Sequence, residues 1–145
     1  MVTNEVMMSG VQLKKLIEKK SEFLHQKYDL RPVEMEILML LYQANCGDTA
    51  TDIMNCKHIS KAHVSKSIDN LKARALICLH TDKHDHRVIH IELLNRAETV
   101  IQEIRGVYDE CKRIVFQNIS EDEISCMTAV LQKISLNITR ELEQE

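Results

Sequence analysis

Apolar residues recur along this chain at two periods, and the switch between them marks its most informative stretch. Val64, Ile68, Leu71 and Ala75 fall on one narrow stripe at helical spacing, with Ser60 placed ahead of them as a capping hydroxyl. From Ile77 the period drops to two: Ile77 and Leu79 alternate with Cys78 and His80. After a polar segment, Ile89, Ile91 and Leu93 alternate with Val88, His90 and Glu92. The segment between, Asp82 to Arg87, is charged and turn-prone, so the pattern predicts a helix running directly into a β-hairpin with a charged tip.

The flanking sequence predicts helices only. Ser9, with Gln12 three positions on, reads as a capping box opening a first helix. Leu13, Leu16, Ile17, Phe23 and Leu24 form its apolar side. Pro32 suits the first turn of a second helix, whose buried face is Val33, Ile37, Leu38, Leu41 and Tyr42 and which Gly47 should stop. Thr49 to Cys56 predicts a short helix with Asp52 in capping position, and Lys57 to Ile59 a turn into the helix capped by Ser60. Short helix, tight turn and longer helix together form a helix-turn-helix signature.

Beyond the hairpin, Asn95 with Glu98 opens a long helix, and Ser120 with Glu123 opens the last one. In that last helix Ile124, Met127, Leu131, Ile134 and Ile138 step by three and four, a coiled-coil-like seam. Such a seam needs cover, and the reading packs it on the first helix and on a second copy of the chain. Leu13, Leu16 and Ile17 join it as the expected dimerisation residues.

Composition then narrows the functional classes. Of 145 residues, 44% are hydrophobic but only 3% aromatic, so one aliphatic, Met-filled core is expected. The net charge of −3 argues against nucleic acid until it is resolved along the chain. Between Lys57 and Arg87, Lys57, Lys61, Lys66, Lys72, Arg74, Lys83 and Arg87 face only Asp69, Asp82 and Asp85, so the working end is basic and the body acidic. No membrane-length apolar run and no signal-peptide pattern occurs, so a cytoplasmic protein is expected. The five cysteines are odd in number and without CxxC spacing, and read as reduced, small buried hydrophobes. No phosphate-cradling glycine loop, GxSxG or HExxH is present, so an enzyme is not expected.

The run V-S-K-S-I-D-N-L-K-A-R-A-L-I from Val64, followed by D-H-R at Asp85 and I-H-I-E-L-L from Ile89, resembles the MarR-type transcriptional regulators. The order of helices extends that resemblance over nearly the whole chain. Ala75 stands where the family usually has a turn glycine, and Leu94 to Ala97 replaces its usual ending after the wing. The resemblance implies a mainly α fold with a small β-wing. Residues 31–95 would form a winged helix-turn-helix lobe, with 1–30 and 96–145 supplying a helical dimerisation region from both termini. It implies a homodimer, most simply a repressor, that reads double-stranded DNA at a pseudo-palindromic operator and is modulated by a small-molecule effector. It also implies that Arg87, at the wing tip, enters a minor groove and is held by Asp69. No cofactor is implied.

On that fold, the outward face of the Ser60 helix is small, polar and partly basic, which permits close approach in a major groove. Lys61 and Lys66 are expected on phosphates, His63 and Ser65 on base edges, and Arg87 in the minor groove, where negative potential is enhanced; Ser60, Asn70 and Lys83 complete the expected DNA-binding set. Asp69 and Asp85 are expected to support the wing. His80, His84, His86 and His90 cluster on the hairpin, where contact with phosphate, or with nothing, outweighs a metal site. His25, Met35 and Met39 are candidate walls of an effector pocket. The competing class is a winged helix that binds another protein instead of DNA.

Overall fold

The computed structural model describes residues 2–144, with the side chains of residues 2–4, 6 and 7 set aside. Six helices and one hairpin follow in order: α1 (Val2–Tyr28), α2 (Pro32–Gln43), α3 (Ala50–Lys57), α4 (Lys61–Ala73), β1 (Ile77–Thr81), β2 (Ile89–Leu93), α5 (Asn95–Val115) and α6 (Glu121–Leu142). This is the mainly α architecture with a small β-wing that the sequence predicts. The chain divides into two compact units, one ending at Cys111 and one from Lys112 to the C-terminus.

The first unit is built around an aliphatic core. Leu24, Ile37, Leu38, Ile53, Val64, Leu71, Ile77, Ile91, Ile101 and Ile104 are almost inaccessible to solvent, so every element from α1 to α5 contributes. Burial of an aliphatic side chain contributes about 1.5–3 kcal/mol, and here it joins the helix-turn-helix to the long helices. The wing is antiparallel, with Ile77 opposite Leu93, Leu79 opposite Ile91, and His80 opposite His90. Ile77 and Ile91 are buried under it, whereas Ile89 is exposed. The hairpin's apolar face is therefore shorter than its alternation suggests.

Several boundaries differ from the sequence reading. α1 begins at Val2, so Ser9 lies inside the helix and does not cap it. α2 ends at Gln43 and is capped by Ala44 in a left-handed conformation, its N–H donating to Leu40 O; Gly47 follows with φ +89° in the loop. Tyr42 and Phe23, expected on buried faces, are exposed. Ala75 is an exposed left-handed turn residue (φ 55°), not the last rung of the α4 stripe. The turn that glycine would fit is thus made by alanine, at the cost that a Cβ imposes there.

The cysteines also depart from expectation. Cys46 and Cys56 form a disulfide across a sequence separation of 10, while Cys78, Cys111 and Cys126 are free. The left-handed cap at Ala44 turns the chain back, and α3 is short enough to return Cys56 to the loop. Spacing alone gave no sign of this, because the proximity comes from that cap.

In the second unit, Ser120 accepts the Glu123 N–H while the Glu123 carboxylate accepts the Ser120 N–H, the reciprocal box expected at this helix start. None of α6 is buried. Met127, Leu131, Ile134 and Ile138 are 42–55% exposed, and Val130, Leu136 and Leu142 add to the apolar surface. Ile124 is half-buried. Among the described residues no helix is long and apolar enough to cross a membrane.

Candidate nucleic-acid interface

Helix α4 is held by its buried side and presents the other. Val64, Ser67, Ile68 and Leu71 face the core, leaving Lys61, Ala62, His63, Ser65, Lys66 and Asp69 exposed. Ser60 caps the helix, its Oγ accepting the His63 N–H at 3.4 Å and lying 3.1 Å from His63 Nδ1. The helix start thus offers unpaired N–H groups, a hydroxyl, an imidazole and two lysines on one side. That composition suits contact with phosphates and base edges.

A buried polar network fixes the pose of α4, and sequence reasoning missed most of it. Glu34 on α2 is fully buried. Its carboxylate accepts the Arg31 N–H (2.9 Å), Arg31 Nε (2.9 Å) and Asn70 Nδ2 (2.8 Å). Arg31 also donates to Ser67 Oγ at 3.2 Å, and Ser67 donates to His63 O at 2.8 Å. Asn70 is accordingly half-buried and committed to α2, not presented with the outward residues as its sequence position suggests. The readable signal was Glu34 three residues after Arg31, next to Pro32: a helix-start carboxylate that the apolar pattern overshadowed.

The wing turn is organised by two aspartates. Asp82 Oδ2 accepts the His84 and Asp85 N–H groups at 2.8 and 2.9 Å, and Asp85 accepts the Arg87 N–H at 3.0 Å. Arg87 Nε also reaches Asp85 at 3.2 Å, with the arginine side chain 91% exposed. Arg87 is therefore paired with Asp85, two residues away, and not with Asp69, which is exposed on α4. The local carboxylate is within reach of the guanidinium in the turn itself. Pairing with Arg87 holds the Asp85 carboxyl below the usual aspartate range. Lys83 is exposed on the same turn.

Behind the wing, His90 lies between two carboxylates, with Nδ1 2.8 Å from Asp48 and Nε2 2.9 Å from Asp82. Asp48 belongs to the loop before α3, and its carbonyl accepts the Ile91 N–H at 2.8 Å. Wing and helix-turn-helix are thus joined by side chain and main chain together. Among the described residues no cluster of three or more His, Cys, Asp or Glu side chains could hold a metal ion.

A cleft of about 470 Å³ opens in the first unit, lined by Leu13, Ile17, Met35, Met39 and Tyr108, with Lys14 and Lys57 among its polar residues. Met35 and Met39, two of the candidate wall residues, line this cleft. His25 does not line it; its ring instead lies 2.6 Å from Leu30 O and 3.4 Å from Ser21 Oγ. Leu16 and Ile17, expected at a dimer surface, pack partly against the core, while Leu13 stays exposed.

Helix-turn-helix, two-stranded wing and long flanking helices together match known structures along nearly their full length. A MarR protein from Peptoclostridium difficile superposes with a TM-score of 0.80 at 20% identity, over 94% of this chain and 88% of that one. The chain has the fold of the MarR regulators. Staphylococcus aureus MepR, in complex with DNA, matches with a TM-score of 0.77 at 23% identity, over 94% of this chain and 98% of that one. Bordetella bronchiseptica BpsR, whose DNA binding is regulated by 6-hydroxynicotinic acid, matches with a TM-score of 0.64 at 20% identity, over 87% and 91% of the two chains. No protein-family model matches the sequence.

Proposed function

We propose that this chain is a homodimeric, sequence-specific double-stranded DNA-binding regulator of the MarR type, acting as a repressor in the cytoplasm and not as an enzyme. The observation that carries the reading is the exposed, basic N-terminal half of α4 beside an exposed Arg87 on the wing, within a fold shared with a protein solved on DNA. Lys61, Lys66 and Lys83 take phosphates, and Ser60, His63 and Ser65 lie nearest the base edges. Arg87 enters the minor groove, exchanging its contact with Asp85 for the enhanced negative potential there. Asn70 positions the helix from behind through Glu34, and Asp85 holds the wing turn.

The exposed apolar face of α6 supplies the dimer contact. Two-fold symmetry then sets half-sites about one helical turn apart, roughly 34–36 Å. The cleft lined by Met35, Met39 and Tyr108 takes an amphipathic small molecule, as its apolar walls and flanking lysines suit. By binding one lobe spacing better than another, the ligand shifts the dimer away from the geometry that fits DNA.

Duplex affinity measured from low to physiological salt tests the reading. The expected result is a steep, log-linear fall, with Lys66→Ala reducing the slope by about one counterion. Arg87→Ala should weaken binding by about 1–3 kcal/mol if its groove contact resembles other specific ones. Affinity flat in salt and unchanged in both folded variants would refute DNA binding and favour a protein partner on this face.

A further inference from the structure

A neutral imidazole carries one N–H and one lone pair, so it can donate to only one carboxylate at a time. His90 faces two, at 2.8 and 2.9 Å, on opposite sides of its ring. Only the imidazolium satisfies both. Deprotonation would turn a lone pair toward one of the carboxylates and replace an attraction with a repulsion.

The two carboxylates belong to different parts of the lobe. Asp48 precedes α3 of the helix-turn-helix and has its main chain bonded to Ile91. Asp82 opens the wing turn, and its second oxygen holds the His84 and Asp85 N–H groups. We propose that His90 is a pH-operated clamp: its imidazolium ties the wing turn to the helix-turn-helix, and its neutral form frees the turn that carries Arg87. The proposal rests on the DNA-binding reading only for its consequence on duplex affinity, not for the clamp itself.

The surroundings favour the charged ring. From β1, His80 stacks on it with ring centroids 5.3 Å apart, and His80 in turn lies 3.7 Å from Glu92 of β2. From α3, the Asp52 carboxylate adds negative potential felt at His90. His84 and Lys83 line the same hollow from the wing turn, and the Lys83 ammonium opposes that field. The hydrogen bond to Asp48, then that to Asp82, raises His90 above the ordinary 6.5. The His90 bond, then the backbone donors of Asp85 and His84, holds Asp82 down at about 2.

The sign follows from both shifts. A histidine whose folded value is raised stabilises the clamp fully below 6.5 and ceases to do so as pH climbs through the raised value. Asp82 keeps its charge on the acid side until pH approaches about 2. The clamp is therefore closed in mildly acidic solution and opens toward alkaline pH. The His90 side chain remains 24% exposed, so water screens the pair and the device tunes the wing without unfolding the lobe.

Two readouts on the full-length chain test this. In the first, imidazole NMR titration follows His90, assigned by comparison with His90→Gln, and hydrogen exchange follows the Ile91 and Val88 amides from pH 6 to 8.5. His90 should titrate above 6.5, and exchange should accelerate beyond the intrinsic base-catalysed rise in wild type but not in His90→Gln. A His90 titrating at or below 6.5, or equal pH responses in wild type and a folded His90→Gln, would overturn the clamp.

In the second, duplex affinity is measured at pH 6 and 8.5 at constant ionic strength. Wild type should weaken about threefold or more through loss of the competent wing population, with His90→Gln showing a smaller change. His63→Gln controls for histidines that meet phosphate, and should retain the His90-dependent part. If the duplex responses of wild type and His90→Gln are equal, the clamp does not govern binding and the proposal fails. If wing exchange responds through His90 but no duplex binds at either pH, the clamp stands and the DNA-binding reading falls.

Discussion

Glu34 offers the sharpest test of how the lobe holds α4. It is the only carboxylate among the described residues that is fully buried, and it joins α2 to α4 through Asn70 while anchoring Arg31. Replacing it with alanine removes the acceptor for all three donors. Hydrogen bonds to a charged group contribute about 1.5–3 kcal/mol each, which as a sum would overstate the loss. The Arg31 side chain is 38% exposed and its guanidinium can regain water, so that part is recovered in large measure. The half-buried Asn70 amide and the space left beneath α4 recover less. A net loss of about 3 kcal/mol results, at the lower end of the cost of breaking a buried ion pair.

For a chain of this size that corresponds to a fall in Tm of roughly 6–12 °C. Differential scanning calorimetry of wild type, Glu34→Ala and Glu34→Gln at neutral pH measures it. Glu34→Gln keeps one carbonyl acceptor at nearly the same volume and should fall between the other two. Because α4 is positioned by this network, Glu34→Ala should also weaken duplex binding at a temperature where it is fully folded. A loss below about 1 kcal/mol for alanine would show that core packing alone sets the helix pose.

Two further predictions concern other parts of the molecule. Reducing the Cys46–Cys56 disulfide, or substituting Cys46→Ser, should lower stability by about 3 kcal/mol on loop-closure grounds; denaturant titration with and without reductant measures it, and equal midpoints would refute it. Ile134→Asp places a charge within the exposed apolar face of α6 and should weaken self-association by at least about a hundredfold if that face is buried in a dimer. Sedimentation velocity at micromolar concentration reads this directly, and an unchanged sedimentation coefficient would move the interface elsewhere.

The sequence carried the helix-turn-helix and wing because their signals are local. Ser60 caps where it should, Val64, Ile68 and Leu71 are buried at helical spacing, and the hairpin pairs His80 with His90 as a turn near Asp85 requires. What stayed hidden was non-local or conformational. A capping pattern such as Ser9 to Gln12 shows where a helix can begin, not where it must, and α1 runs past it. Ala44 and Ala75 adopt left-handed turns that nothing in an alanine announces.

The partners of Asn70, His90 and Cys46 lie 36, 42 and 10 positions away, so no periodicity could name them. Asp69 and Asp85 show how two wing-supporting candidates separate in space. The resemblance assigned Arg87 a distant partner, and the structure gives it the carboxylate of its own turn. A guanidinium reaching back two residues orders less chain than one spanning from the wing to α4.

The central claim is that two copies of this chain set paired α4 helices and Arg87 wings into successive grooves of one duplex. Selection of bound duplexes from a random pool by the full-length protein, followed by sequencing, tests it most directly. The account predicts enrichment of an inverted repeat with half-sites about one helical turn apart, roughly 34–36 Å, lost when Lys66 and Arg87 are both replaced by alanine. A pool that remains random after repeated rounds, or that enriches a lone half-site without symmetry, would contradict it.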